Sequence, residues 1–181
     1  MTTTRDPVDL LELPAALTAR RPTEADHPRV QAVLAGWWGH LGGEHGDLQR
    51  ALLLPRLFFQ HVPDTSTLVE DADGRVVAFL VGFLSPARPQ TAYVHFVGVD
   101  PAAQGSGLGR RLYEAFFAAM AARGAREVRC ITGPDNRGSV AFHTRMGFAL
   151  EPGDRVEDGV PVHSDYDGPG LDRVSFVRPL P

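Results

Sequence analysis

The stretch from Tyr93 to Arg111 (YVHFVGVDPAAQGSGLGRR) constrains the fold of this chain more than any other part of the sequence. From Tyr93 to Val99 it is rich in β-branched and aromatic residues on both faces, as expected of a central strand that is covered on both sides. Asp100-Pro101 breaks the strand. A glycine-rich segment then leads into a helix whose apolar residues recur at helical spacing, namely Leu108, Leu112, Phe116 and Met120.

The glycine-rich start of this helix, Gln104 to Gly109, is a candidate anion site. The first amides of a helix have no partner within the helix, and the helix dipole favours negative charge at that end. Glycines let a bulky diphosphate approach those amides without interference from Cβ atoms. An ordinary glycine-rich helix start that binds no ligand is the alternative interpretation.

Three phosphate-binding motifs compete for this segment. The Rossmann pattern needs a third glycine where this chain has Arg110, and the Walker A loop needs a lysine, which the chain lacks altogether. What remains is Gln-x-x-Gly-x-Gly, formed by Gln104, Gly107 and Gly109. This pattern resembles the acyl-CoA diphosphate loop of the GNAT N-acetyltransferase superfamily. A nucleotide-binding Rossmann protein stays open as a weaker alternative.

The composition limits the class of protein. A chain of 181 residues with 43% hydrophobic residues is most simply one globular domain with a substantial core. The net charge of −4 gives no reason to propose a nucleic acid or an anionic membrane as partner. The single cysteine, Cys130, excludes an internal disulfide framework and a cysteine-based zinc cluster, and no metal site is predicted. No signal peptide or membrane span is recognisable, so the expected location is the cytoplasm.

The order of the predicted elements supports the resemblance. Residues 1–16 are interpreted as an N-terminal extension and residues 17–181 as the domain that resembles GNAT enzymes. Apolar periodicity, caps and turn residues predict strands at 17–21, 66–70, 75–84, 93–99, 127–131 and 172–178, and helices after Asp26, over 48–61 with a break at Pro55, after Gly107 and after Asn136. Residues 151–171 are predicted to form a long acidic loop, and a short strand is expected before it.

A second motif strengthens the resemblance. The segment Asn136 to Phe148 (NRGSVAFHTRMGF) is similar to the family's Asn…Phe-Tyr…Gly-Phe signature, and Val97-Gly98-Val99 precedes the glycine-rich loop. The resemblance implies an α/β (α+β) GNAT fold, with a mixed, mostly antiparallel central sheet and helices on both sides. It also implies acetyl-CoA as cosubstrate and transfer of an acetyl group to a primary amine, by direct attack in a ternary complex.

The resemblance further implies which residues bind acetyl-CoA. The backbone of Val97 and Val99 would bond the pantetheine arm, with Gly98 at the bulge that begins the separation of two strands. Asn136 and Ser139 would lie near pantetheine, and Phe142 would pack on it. The diphosphate would contact Gln104, Gly105, Ser106, Gly107, Leu108, Gly109 and Arg110. Direct attack needs no enzyme nucleophile, so Cys130 is expected to be a core residue.

Two histidines are the candidate catalytic residues. An amine must lose a proton before it attacks, and a histidine with a pKa of ~6.5 can accept that proton. His95 lies two residues before Val97, on the same face of the strand, and is the candidate base. The family's Phe-Tyr pair, whose tyrosine protonates the departing thiolate, is Phe142-His143 in this chain. His143 is therefore a candidate acid that departs from the pattern.

The sequence indicates candidate contacts and a broad class for the acceptor. Trp37 and Trp38 begin a loop predicted up to Asp47, and Tyr93 and Asp165 are further candidate contacts. An amine that carries positive charge could be drawn by the late acidic loop and held on aromatic faces, although acidic residues also simply solvate a loop. The acceptor class is a small-molecule or peptide amine, and a homodimer is possible by resemblance. The alternative function is a non-catalytic acyl-CoA-binding sensor or regulatory module, since the loop binds cofactor whatever the chemistry.

Overall fold

The structure, a computed structural model, describes residues 6–38 and 51–181. The helices and strands of these residues, in chain order, are α1 (Pro7–Leu10), β1 (Leu17–Arg20), α2 (His27–Trp38), α3 (Leu57–His61), β2 (Thr67–Asp71), β3 (Val76–Leu84), β4 (Thr91–Val99), α4 (Leu108–Ala122), β5 (Glu127–Thr132), α5 (Arg137–Arg145), β6 (Ala149–Leu150), β7 (Arg155–Glu157), β8 (Val160–Val162) and β9 (Val174–Pro179). The predicted start of the second helix and the loop that follows Trp38 lie outside the described residues.

Seven strands form one mixed sheet in the order β1-β2-β3-β4-β5-β9-β6, and β7 and β8 form a separate pair. β4 and β5 are parallel, whereas the β1–β2, β2–β3, β5–β9 and β6–β9 pairs are antiparallel. The predicted fold class, with a mixed and mostly antiparallel sheet, is therefore confirmed. By internal contacts the chain divides into two compact units, Met1–Phe83 with Phe96–Arg123 and Leu84–His95 with Gly124–Pro181.

The core of the first unit forms where α2 packs on the sheet. Val30, Leu34 and Trp37 recur at helical spacing on α2, and all three are buried, together with Phe79 of β3. Burial of each such side chain contributes roughly 1.5–3 kcal/mol to folding. The predicted apolar face of α4 is also buried, from Leu108 through Leu112 and Phe116 to Met120.

Asp26 immediately precedes α2, as predicted, but its carboxylate makes other contacts than those of the predicted helix cap. It lies in a 3-10 turn and accepts a hydrogen bond from the backbone N–H of Thr23 at 2.8 Å. It also accepts from both terminal nitrogens of Arg20, at 2.7 Å each, and from Arg29 at 2.6 Å. Glu70 of β2 bonds the same two arginines, so four charges join β1, β2 and α2.

The residues predicted as an N-terminal extension belong to the first unit from Asp6 onward. Asp6 is buried, accepts from the backbone N–H of Val8 at the start of α1, and forms an ion pair with Arg21. Arg111 of α4 donates to the backbone carbonyl of Glu12 at 3.2 Å. The boundary at residue 16 stays a prediction, but the segment before it is packed and bonded.

The second unit is built on β5, which lies between β4 and β9. α5 begins after Asn136, whose side chain accepts from the backbone N–H of Ser139 at 3.0 Å, as predicted for a helix cap. The helix packs on β9 through His143, whose ring centroid lies 4.9 Å from that of Phe176. The predicted left-handed residue after the helix is Gly147, with a φ of 84°.

The prediction of one long loop over residues 151–171 was wrong in part, because this segment contains the β7–β8 hairpin. Asp158 and Gly159 connect the two strands, and both have positive φ, 50° and 82°. Asp-Gly is a strong signal for a tight hairpin turn, so the sequence did carry this information. The closing strand, predicted from residue 172, begins at Val174.

Arginines pair with several acidic residues of this segment, which was predicted to form an acidic loop. Asp158 pairs with Arg137, and Glu157 and Asp172 pair with Arg155. Further pairs join Glu151 to Arg129 and Asp167 to Arg173. Most acidic side chains of the segment are therefore paired with an arginine.

Candidate functional site

The glycine-rich segment before α4 has the backbone geometry of an anion loop. Gly105 and Gly107 both adopt left-handed conformations, with φ of 81° and 82°, and Gly107 occupies the cap position of the helix. Residues with a Cβ atom are strained in this region, so glycine is required at both positions. Gln104 to Gly107 are exposed, and the first amides of α4 lack partners within the helix. The segment can therefore receive an anion from solvent.

β4 presents different side chains on its two faces. Ala92 and Val94 are buried, whereas Tyr93, His95 and Val97 alternate with them and are only partly buried. The hydrogen-bonded register with β5 covers Thr91 to Tyr93 alone among the described residues. The candidate base therefore lies on the less buried face, just past the end of this register.

Gly98 has a steric role that the sequence did not reveal. A Cβ atom at this position would lie 2.6 Å and 2.9 Å from two ring carbons of Phe79 and 3.1 Å from a ring carbon of Trp37. Real Cβ atoms essentially never approach another atom as closely as the two distances to Phe79, and the distance to Trp37 is tighter than most real contacts. The absence of a side chain at Gly98 is therefore what lets the aromatic rings approach β4.

Tyr93 and His95 lie close together on the less buried face of β4, with ring centroids 6.5 Å apart. Burial raises the pKa of Tyr93, and the nearby Tyr166, Cys130 and Asp167 raise it further. Tyr93 therefore stays a neutral phenol across the physiological range of pH. The structure brings it together with the candidate base.

His143 is enclosed by aromatic rings. It is 5% exposed, stacks on Phe176 and meets Phe142 and Phe148 edge to face. Its Nδ1 lies 2.8 Å from the carbonyl oxygen of Ser139, which can only accept, so Nδ1 carries the hydrogen. Burial lowers the pKa of His143, although the bond to Ser139 opposes this shift. These surroundings favour the neutral ring and weigh against the role of acid, which stays a prediction.

Cys130 and the two tryptophans have packing roles. Cys130 is 3% exposed, and burial raises the pKa of its thiol, which suppresses the reactive thiolate. Trp37 is 9% exposed in the core cluster and stacks on Phe79 at 6.2 Å, so packing accounts for this predicted acceptor contact. Trp38 is partly buried and lies against Trp37 and Phe96. Both tryptophans belong to α2, so the loop predicted to begin at Trp37 begins no earlier than residue 39.

Asp165 has a local structural role in addition to its predicted role in acceptor binding. Its backbone has a positive φ of 53°, and its carboxylate accepts from the backbone N–H of Gly170 at 2.6 Å. Its own backbone N–H donates to Asp172 at 2.8 Å. Asp165 therefore shapes the turn that leads to β9.

Four side chains on this turn form a polar cluster that the sequence did not single out as a site. His163, Tyr166, Asp167 and Arg173 are joined by a ring contact and an ion pair, and Tyr166 is half exposed. We call these four residues the loop cluster. The sequence signals were weak, namely a histidine directly after one strand and an arginine directly before the next.

A small cleft of about 190 Å³ lies between the start of α5 and the β7–β8 hairpin. Arg137 and Val140 line it from the helix, and Asp158 and Val160 line it from the hairpin. Pockets for drug-sized ligands are usually larger, roughly 300–1,000 Å³. The cleft contains none of the predicted site residues.

Metal and membrane features are absent from the described parts of the chain. No group of three or more His, Cys, Asp or Glu side chains there could hold a metal ion. Nor does any described helix have the length and apolar character needed to cross a membrane.

Comparison with known proteins identifies the family. The family model described as "Acetyltransferase (GNAT) family" matches residues 31–148, which is more than half of the chain. This chain belongs to the GNAT acetyltransferase family. The GNAT family uses acetyl-CoA, and the matched residues include β4, the glycine-rich loop and α5.

Several relatives of this GNAT chain are named acetyltransferases. L-2,4-diaminobutyric acid acetyltransferase of Nocardia farcinica is 35% identical over 86 residues, which are 48% of this chain and 44% of that protein. Mycothiol acetyltransferase of Saccharomonospora viridis is 38% identical over 87 residues, 45% of this chain and 28% of that protein. L-2,4-diaminobutyric acid acetyltransferase of Streptomyces anulatus is 33% identical over 131 residues, 70% and 74% of the two chains. The chain covers less than half the length of the first two relatives.

Solved structures share the GNAT fold. Ard1 from Thermoplasma volcanium superposes with a TM-score of 0.67 at 20% identity, over 92% of this chain and 99% of that chain. Diaminobutyrate acetyltransferase from Paenibacillus lautus, in complex with L-2,4-diaminobutyric acid and coenzyme A, has a TM-score of 0.62 at 22% identity. That match covers 89% of this chain and 93% of the other. At these identities the likeness establishes the fold alone.

Proposed function

We propose that this GNAT chain transfers an acetyl group from acetyl-CoA to a primary amine of a small acceptor. The observation that carries the proposal is the exposed loop with two left-handed glycines at the start of α4. Its amides and the helix dipole suit the cofactor diphosphate. The diphosphate contacts are Gln104, Gly105, Ser106, Gly107, Leu108, Gly109 and Arg110. The backbone of Val97 and Val99 bonds pantetheine, with Asn136, Ser139 and Phe142 as further contacts.

The transfer is direct, in a ternary complex of enzyme, acetyl-CoA and amine. The amine nitrogen forms a bond to the thioester carbonyl carbon, the carbon–sulfur bond breaks, and coenzyme A leaves as a thiolate that takes up a proton. The N–H of Val97 stabilises the oxyanion that develops on the carbonyl oxygen. The burial of Cys130 supports this route, because the thiol best suited to a covalent intermediate is enclosed and held protonated.

His95 is the proposed base for the attacking amine. It shares a face of β4 with Val97, since side chains alternate along a strand. Amines are mostly protonated at neutral pH, and a histidine, whose ordinary pKa is ~6.5, can accept the proton that attack releases. His143 is the candidate acid, but burial lowers its pKa, so we expect its removal to affect turnover less than removal of His95.

The acceptor is proposed to be a small amine. Relatives named for L-2,4-diaminobutyric acid and for mycothiol support this class. The paired charges of the β7–β8 region do not favour a polycation, which makes a polyamine less well supported. Suitable probes are L-2,4-diaminobutyric acid, 1,3-diaminopropane and a peptide with a free N-terminus.

The test follows the release of coenzyme A with each amine. For an accepted amine, initial rates over both substrate concentrations should give intersecting reciprocal plots, because a ternary complex forms. His95→Gln should lower kcat by about 10²-fold or more and remove the acid limb of the pH profile. His143→Gln should lower kcat by less than His95→Gln does. Acetyl-CoA affinity should be unchanged in both variants.

His61→Gln is the matched control, because His61 is exposed at the end of α3. It should retain the kinetics of the native chain. A His95→Gln enzyme with native kcat would remove the base from the mechanism. Binding of acetyl-CoA without turnover on any amine would favour the non-catalytic sensor instead.

A further inference from the structure

His163 and Arg173 are held side by side by the backbone. The N–H of each donates to the carbonyl oxygen of the other, at 2.8 Å and 3.0 Å, in an isolated antiparallel bridge. Residues paired in this way project their side chains on one face, with Cβ atoms roughly 4.5–5.5 Å apart. The imidazole and the guanidinium are therefore neighbours.

The turn between these two residues fixes the other members of the loop cluster. Besides the bonds of Asp165 described above, the backbone N–H of Asp167 donates to Leu171 at 3.2 Å, and Asp172 forms an ion pair with Arg155. The turn places the ring of Tyr166 edge to face on His163, with centroids 5.7 Å apart. It also places the carboxylate of Asp167 2.7 Å from Nε of Arg173.

Arg173 retains hydrogen-bonding capacity that the described residues do not use. Its side chain is only 15% exposed, so the guanidinium has lost most of its contact with water. Nε donates to Asp167, and Nη1 donates to the backbone carbonyl of Asp172 at 2.8 Å. Within residues 6–38 and 51–181, Nη2 has no hydrogen-bond acceptor, although it is not fully enclosed. A guanidinium carries five N–H groups, so a guanidinium that is paired with one carboxylate can still bind a second carboxylate.

His163 contributes a second unused nitrogen. Its Nε2 is enclosed and has no hydrogen-bond partner in the described part of the chain. The imidazole of His163 is in edge-to-face contact with the ring of Tyr166, which is 51% exposed. A buried polar atom without a partner is unusual in a folded protein and calls for a physical explanation. The backbone bridge to Arg173 places this nitrogen on the same face as the guanidinium.

Three members of the loop cluster also act electrostatically on Tyr93, which neighbours the candidate base. Tyr166, Asp167 and Arg173 all act on the titration of Tyr93, whose ring neighbours that of His95. All of these residues lie in the second unit. An acceptor held by the cluster would thus lie near the face of β4 that carries His95.

We propose that Arg173 and His163 bind a carboxylate of the acceptor, so that the preferred acceptors are amino acids rather than simple amines. A carboxylate oxygen accepts from Nη2 of Arg173 and from Nε2 of His163, which then carries the hydrogen. Asp167 orients the guanidinium and offers its remaining oxygen to a second ammonium group on the acceptor. This inference rests on the proposed N-acetyltransferase function.

The test compares two diamines that differ by one carboxylate, L-2,4-diaminobutyric acid and 1,3-diaminopropane. The native enzyme should have the lower KM for the amino acid. Arg173→Gln should raise that KM at least tenfold and change the KM for 1,3-diaminopropane less than twofold, because the acceptor group that the arginine binds is the carboxylate, which 1,3-diaminopropane lacks. Arg145→Gln, at an exposed arginine that ends α5, is the matched control and should change neither value.

Two further variants separate binding from folding. His163→Phe keeps the ring contact with Tyr166 but removes Nε2, so it should raise the KM for L-2,4-diaminobutyric acid without lowering the thermal midpoint. Arg173→Lys keeps the positive charge but loses the planar guanidinium that can bind a carboxylate through two N–H groups. Its KM for L-2,4-diaminobutyric acid should lie between those of the native enzyme and Arg173→Gln. Equal changes in KM for both diamines would overturn the inference. So would a native enzyme that prefers 1,3-diaminopropane. If no amine is acetylated at all, the proposed function itself fails.

Discussion

Substitution of Gly98 by alanine should measurably destabilise the first unit. The added methyl carbon would lie 2.6 Å from one ring carbon of Phe79, whereas carbon atoms in contact are separated by about 3.5–4.0 Å. Phe79 is 1% exposed and is stacked against Trp37 at 6.2 Å and Phe96 at 6.0 Å, so its ring cannot move by the required ~1 Å without displacing both neighbours.

The magnitude follows from two opposing effects. Overpacking costs about 1–3 kcal/mol, and we expect the upper end because the obstructing ring is enclosed on both sides. Alanine also restricts the unfolded chain, which offsets about 0.4–1 kcal/mol. A net loss of about 2 kcal/mol in the free energy of unfolding should lower the thermal midpoint by roughly 4–8 °C in a chain of this size.

Denaturant and thermal unfolding measure this prediction independently of activity. Gly36→Ala is the matched control, because no atom lies within 4 Å of the added carbon and the position is in α2. It should stabilise the chain by about 0.5–1 kcal/mol. Adding Phe79→Leu to Gly98→Ala should cost less than the sum of the single changes. A Gly98→Ala protein as stable as the native chain would refute the close approach.

Two further predictions concern charge and backbone conformation. Arg20 holds the pKa of Asp26 well below its usual range. A lowered pKa in the folded state stabilises the chain above the unfolded value near ~3.9, and this stabilisation is lost as pH falls below it. Asp26→Asn should therefore lower the free energy of unfolding by about 3 kcal/mol at pH 7, as measured by urea unfolding. The difference in stability between the variant and the native chain should shrink below about pH 4. A difference that is independent of pH would contradict the lowered pKa of Asp26. Gly107→Ala should cost about 1–2 kcal/mol, because φ is 82°, and should weaken acetyl-CoA binding in calorimetry, whereas native affinity would exclude the loop.

Much of the fold was predictable because its signals are local. The apolar period of α4, the cap at Asn136 and the glycine after α5 each depend on neighbours within a few residues, and all three were confirmed. The β7–β8 hairpin carried an equally local Asp-Gly signal. It was missed because acidic composition suggested a solvated loop.

Features that depend on distant partners could not be read in the same way. The carboxylate of Asp26 is bound by Arg20 and Arg29, and the period of α2 does not reveal that competition with helix capping. The sequence suggested that Gly98 forms a bulge in the backbone. Its steric role depends on Phe79, nineteen residues earlier in the sequence.

The candidate site likewise contains both local features and features that depend on distant partners. The glycine-rich loop is a local motif, and its left-handed glycines agree with the pattern. The loop cluster depends on a bridge between His163 and Arg173, which only the folded chain brings together. The burial that lowers the pKa of His143 likewise depends on packing of its ring against Phe176 of β9.

The central claim is that the loop at the start of α4 binds acetyl-CoA, and thermal unfolding with added cofactor tests it most directly. Acetyl-CoA at 100 times its dissociation constant should add ~2.7 kcal/mol to the free energy of unfolding. The midpoint should then rise by roughly 5–10 °C, and NAD at the same concentration should leave it unchanged. An unchanged midpoint at saturating acetyl-CoA, or an equal rise with NAD, would contradict the account.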